Sequence, residues 1–172
     1  MSDIVKVEIV KTGPCRFVGG CIYLGNKGKW NNNSLTKHLW EKSGWIFEML
    51  DELKEYATNE IHNAALTTWE KCDEKNGLFG YYIGRFMKAE TPVPHDLDYF
   101  DINIEYWAKV WVKGKFRDGK NGDLWSCPRY KINQTEYEDY VEMASICAAE
   151  AYPKQQVNDE SYVVYYRPLK KP

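Results

Sequence analysis

Glu150 and Tyr152 stand two residues apart in the segment Ala149-Glu150-Ala151-Tyr152. In an extended strand that spacing brings a carboxyl and a phenol onto one face. A carboxylate set among aromatic rings must be solvated, paired or protonated, because burying a bare charge is costly. The chemistry open to it is the capture of a cation, or general acid–base work on a bound molecule. A polar turn through Asn158 and Asp159 leads to Tyr162-Val163-Val164-Tyr165-Tyr166, β-branched and aromatic enough to be the hairpin partner. Two other placements fit the same residues: a solvent-facing carboxylate, and a helix running on through Ala148 and Ala149.

Aromatic residues make up 15% of the chain, with seven Trp and thirteen Tyr, and both types carry polar tips suited to wet, partly open surfaces. From Ile104 to Lys113 the residues alternate. Tyr106, Ala108, Val110 and Val112 fall on one side; Glu105, Trp107, Lys109, Trp111 and Lys113 fall on the other. The small side suits a helix, whereas Trp107 and Trp111 interleaved with charges make candidate walls of a binding site. Lysine stems and tryptophans covering each other on an exposed sheet would give the same pattern. Leu66 to Lys71 and Leu78 to Met87 read as strands joined through Asn76-Gly77, a hairpin signal, with Trp69 and Tyr82 inside them. Gly80 and Gly84 flank Tyr82 on its own face and predict open surface beside it.

Positioning these groups requires a regular order of elements. Ile4 to Leu24 reads as one long strand bent at Gly13-Pro14. A helical stripe follows through Leu35, Leu39, Ile46, Leu50, Leu53 and Ala57, as one helix or two broken at Ser43-Gly44, with Trp40 and Phe47 beside it. Thr91-Pro92-Val93-Pro94 marks residues 89–98 as a connector. The plan then repeats: the strand at 104–113, a helix opened by the capping box Thr135-Glu136-Tyr137-Glu138, and the hairpin holding Glu150. The expectation is an α+β domain spanning 1–172, built of tandem β-α-β-β repeats at about 1–90 and 97–172. The strands form a curved antiparallel sheet system, with helices on one side and a central cleft on the other.

Composition excludes several classes. A chain of 172 residues buries a sizeable core without staples. A net charge of -2 gives no electrostatic footprint for nucleic acid or an anionic membrane. No signal sequence opens the chain, and no apolar run nears the roughly 20 residues that span a bilayer, so a cytoplasmic protein is expected. Five scattered cysteines without C-x-x-C spacing suit reduced core thiols. His38, His62 and His95 lack ligand spacing, and no phosphate loop or G-x-S-x-G elbow occurs, so no metal and no cofactor are expected.

The order and spacing of these segments resemble the gyrase-inhibitor-like (GyrI-like) effector-binding domains, also found as sensor domains of AraC-type and MerR-type regulators. The segments are Tyr82-Ile83-Gly84 before Pro92-Val93-Pro94, Trp107-Ala108, Lys113-Gly114, Ala149 to Tyr152, and Val163 to Pro168. The resemblance implies paired β-α-β-β units related by a pseudo-twofold, with a cleft holding a glutamate among aromatics. On this chain that glutamate is Glu150. Trp107 stands where the family usually has tyrosine, and the segment Phe116 to Gln134 is longer than is typical.

By that resemblance the chain is a stand-alone receptor or scavenger of planar aromatic, often cationic, small molecules. The ligand-binding residues would be Glu150, Tyr152, Trp107, Trp111, Trp69 and Tyr82. No room is left for a DNA-binding domain before Ile4 or after Pro168. Two alternatives come from the same resemblance. One is hydrolysis of cyclopropane-containing DNA alkylators, with Glu150 and Tyr152 as the catalytic residues and Glu48, Glu70 or Glu105 as a second carboxylate. The other is a protein-binding role such as gyrase inhibition. Whether the chain turns over a substrate is left open, as is its oligomeric state.

Overall fold

The computed structural model describes residues 3–25, 32–58, 63–73, 78–113, 147–152 and 162–169. Among these the fold is α+β, eight antiparallel strands and two helices. The chain divides into two compact units, Met1–Gly13 with Ile104–Pro172 as unit 1 and Pro14–Asn103 as unit 2. The N-terminal residues thus belong with the C-terminal ones, whereas the expected repeats followed the linear halves of the chain.

The cause is visible at Gly13. What periodicity suggested was one bent strand is two: β1 (Asp3–Lys11) in unit 1 and β2 (Cys15–Gly25) in unit 2. Gly13 has φ of 70°, a left-handed conformation natural to glycine, and Pro14 brings no N–H to continue a ladder. The break redirects the chain.

In unit 2, β2 pairs with β4 (Leu78–Lys88), β4 with β3 (Asn63–Asp73), and β2 also with β5 (Asp98–Ile102), giving the order β3-β4-β2-β5. Strand β5 was not foreseen: the connector was read to residue 98 and the next strand from Ile104. Its Phe100 and Ile102 are buried while Tyr99 and Asp101 are exposed, so it is a short amphipathic edge. Arg16 holds it, donating from Nε to Asp101 Oδ1 at 2.6 Å and stacking 4.4 Å from the Tyr99 ring centre. The connector before β5 folds back through Thr91, whose backbone N–H and Oγ1 both donate to the Lys88 carbonyl.

The helical stripe forms two helices, α1 (Asn32–Glu41) and α2 (Gly44–Glu52). Buried Ser43 stands between them and donates to the Trp40 carbonyl at the end of α1 twice, from Oγ at 2.7 Å and from its backbone N–H at 3.2 Å. Ile46 and Leu50 of α2 pack on Val18 and Met87. Leu35, assigned to the buried stripe by its spacing, is exposed. Trp40 and Phe47 meet at 6.1 Å between ring centres and pack against Leu24, Ala65, Tyr81 and Ile83, with Trp40 Nε1 donating to the Tyr81 hydroxyl. Buried Arg85 ties α2 to the sheet: its Nη1 bonds Asp51 at 2.6 Å and its Nε bonds Asn63 at 3.0 Å.

In unit 1, β1 pairs with β6 (Tyr106–Lys113), β6 with β8 (Tyr162–Leu169), and β8 with β7 (Cys147–Tyr152), in the order β1-β6-β8-β7. Thus β5 lies beside β2 in unit 2, and β1 lies beside β6 in unit 1. The capping box at Thr135, the Asn76-Gly77 turn and the turn at Asn158-Asp159 lie outside the described residues.

Gly84 does not leave open surface beside Tyr82. It faces Gly19 across β2 and β4, and a Cβ there would collide with the Val18 carbonyl oxygen and lie 2.7 Å from Gly19 Cα. Two backbones occupy the space. Gly84→Ala should therefore cost about 1–3 kcal/mol or more. Gly44→Ala, where nothing lies within 4 Å of the new methyl, should change stability by under about 1 kcal/mol, in the stabilising direction. Urea midpoints of the two variants check both.

Candidate functional site

The register of unit 1 builds the site. Glu150 on β7 lies directly opposite Tyr165 on β8, and Tyr165 lies opposite Val110 on β6. Directly opposed residues share a sheet face at roughly 5 Å separation, so Glu150 and Tyr165 are immediate neighbours. Tyr152, two residues along β7, joins them, as does Arg167, two residues along β8 and opposite Ala108. Apolar packing surrounds this group: Ala108, Val110, Val163, Tyr165 and Leu169 form a buried cluster, with Val7, Ile9, Tyr106 and Tyr152 against it. Glu150 lies on a strand and not on a helix extended from Ala148.

Burial pushes the Glu150 carboxyl above its ordinary 4.5, and the hydrogen bond with Tyr152 offsets part of that rise. Desolvation disfavours the charged form, and one phenol replaces only some of the lost water. The Tyr165 hydroxyl is pushed up as well, first by burial and then by the Glu150 charge, with Arg167 pulling the other way. A carboxyl and the Tyr165 phenol, both raised by burial, with Tyr152 bonded to the carboxyl, make a group that an added positive charge would favour. Protonated, the carboxyl is a proton donor to a bound base.

Tyr165 was quoted in the sequence only as part of a strand. Its place opposite Glu150 follows from a register that the run Tyr162 to Tyr166 leaves unmarked.

The other expected site residues are placed differently. Trp107 and Trp111 belong to unit 1 but to the opposite face from Glu150, since Trp107 pairs with Pro168, and Trp111 with Val164 and through it with Ala151. They are not on an exposed sheet: Trp107 is 2% exposed and Lys109 between them 5%. The small side of β6, which the alternation marked for helix packing, is the side that carries Glu150. Tyr82 lies in unit 2, fully buried, with its ring edge-to-face against Phe17 at 6.3 Å and its hydroxyl 3.4 Å from Asp98 Oδ2. Trp69 falls within β3, and its side chain lies outside the described residues, as does that of Glu70. Glu48 is on α2, and Glu105, exposed, pairs with Lys11 at 2.8 Å. Glu105 precedes β6 and by its alternation falls on the face opposite Glu150, and Glu48 lies in unit 2.

Solved structures of like fold exist. The protein SAV2435 bound to tetraphenylphosphonium superimposes with a TM-score of 0.61 at 12% identity, over 96% of this chain and 94% of its own. A putative bacterial transcription regulation protein from Staphylococcus aureus gives a TM-score of 0.55 at 12% identity, over 96% and 99%. A hydrolase from Listeria innocua gives 0.52 at 11% identity, over 96% and 92%. These likenesses agree with the GyrI-like fold that the sequence resembles. No family model and no curated protein matches the chain. No helix among the described residues is long and apolar enough to cross a membrane.

The raised carboxyl has a consequence for stability. A group whose folded pKa exceeds its unfolded value contributes stability below the unfolded pKa and loses it as pH rises through the folded pKa. For Glu150 the loss begins near 4.5 and continues upward to the raised value. Relative to Glu150→Gln, the wild type should therefore lose stability across that window as pH rises. Urea denaturation of both proteins from pH 4 to pH 9 checks the sign; parallel curves would contradict it.

Proposed function

We propose that this chain binds planar aromatic, cationic small molecules, with Glu150 as the charge partner, Tyr152 as a hydrogen-bonding neighbour and Tyr165 as an aromatic contact. The observation that carries this reading is the half-buried Glu150 carboxyl, raised by desolvation and set between two tyrosines on an apolar face. An incoming cation offsets the desolvation of the carboxylate, and a ring face adds about 0.5–2 kcal/mol for a cation above it. The tetraphenylphosphonium held by the like-folded SAV2435 is an aromatic cation, which supports the same ligand class here. Sensing or sequestration in the cytoplasm suits such a binder. Trp107, Trp111 and Tyr82 are engaged in contacts of their own and have no part in this reading.

Fluorescence titration with tetraphenylphosphonium and with a neutral aromatic of similar size tests it. Glu150→Gln should weaken the cation at least tenfold, about 1.4 kcal/mol, and the neutral compound far less. Equal losses would sink the proposal. Because the carboxyl must give up its proton to pair with a permanent cation, affinity for that cation should rise with pH toward the raised pKa and then level. In Glu150→Gln it should stay flat.

A hydrolase reading is favoured by one specific observation, the like fold of the Listeria innocua hydrolase. A protonated Glu150 is suited to general-acid activation of a strained electrophile such as a cyclopropanoid. Mass spectrometry of a cyclopropanoid incubated with the protein decides: gain of one water, abolished by Glu150→Gln, makes the chain an enzyme. Intact recovery leaves it a binder.

A further inference from the structure

The face of the unit 1 sheet opposite Glu150 holds a second charged group among rings. The Lys109 Nζ lies 5.4 Å from the ring centre of Trp111 and 5.7 Å from that of Tyr166. Trp107 meets Tyr166 edge-to-face at 6.3 Å. On β1, Glu8 is the register partner of Lys109, and Lys6 that of Trp111. The Glu8 carboxyl is held below its ordinary range, mainly by its bond with Lys6 and further by Trp111 and the charge of Lys109. Three rings with a carboxylate at the margin form the chemistry that recognises ammonium ions. Lys109 carries such an ion into them on its own flexible four-carbon stem.

We propose that Trp107, Trp111, Tyr166 and Glu8 form a cation site whose resident occupant is the ammonium of Lys109, and that a small alkylammonium ion takes this site once the tether is removed. The inference is independent of the Glu150 reading, because the two groups lie on opposite faces. It also assigns Lys109 a role in specificity. While its ammonium fills the aromatic face, that face is closed to cationic ligands, which are left to the carboxyl side of the sheet.

The test uses the full chain, Lys109→Ala, and tetramethylammonium chloride against an equal concentration of sodium chloride. Lys109→Ala should melt below the wild type. Tetramethylammonium, but not sodium, should restore at least half of the lost Tm and quench tryptophan fluorescence in this variant alone. Adding Trp111→Leu to Lys109→Ala should abolish the rescue. No response of Lys109→Ala, or an equal response of wild type and both variants, overturns the proposal. Should Lys109→Ala fail to fold, Lys109→Met keeps most of the stem volume without the charge. The drop in urea midpoint caused by Trp111→Leu must then shrink when it is made on top of Lys109→Met; an undiminished drop overturns the proposal.

Discussion

Strand β8 is hydrogen-bonded along both edges, to β6 and to β7, and its register sets two rows of neighbours at once. A slip of one residue would exchange Tyr165 for Tyr166 opposite Glu150 and turn Arg167 to the other face. Both faces of this sheet carry buried groups, so such a slip would bring a charge into every wrong environment. The penalty for burying a charge without its neighbours is what makes the register stiff. Carboxyl, phenols and guanidinium on one face, and lysine with its rings on the other, are one arrangement.

The two charges are buried by different means. Glu150 sits in apolar surroundings with a phenol as hydrogen-bond partner, and its pKa rises accordingly. Lys109 lies against the faces of Trp111 and Tyr166, whose quadrupoles attract a cation, with Glu8 opposite it on β1. In the second the rings already hold a cation, which is why alternation of Trp with Lys along β6 does not by itself mark a ligand wall.

Unit 2 is stiffened by close approach. Gly19 and Gly84 let the β2 and β4 backbones come together where no Cβ fits, and Gly20 admits the Ile46 side chain of α2, whose Cδ1 would stand 2.7 Å from a Cβ there. Arg85 then fastens α2 to the sheet through Asp51 and Asn63 and lies 5.5 Å from the Phe47 ring centre. Glycine beside an aromatic residue was taken as room for a ligand; here it is room for backbone.

Much of the fold was legible in the residues: the strands around 66–71, 78–87, 106–113 and 162–168, the helical stripe with its break at Ser43-Gly44, and the α+β class. These rest on local periodicity, which a linear pattern records. Glu150 and Tyr152 could be paired because i and i+2 share a face in any strand. The two hairpin pairings, 66–71 with 78–87 and the Glu150 segment with the run from Tyr162, were legible as well; what the residues alone could not decide was the register and the pairing between strands distant in sequence. That β1 joins β6, that Asp98–Ile102 is an edge strand, that Tyr165 faces Glu150, and that Trp107 and Trp111 turn away from it all depend on pairings between residues distant in sequence. Parity fixes a side chain only against its own strand, and only the tertiary register converts it into a neighbour.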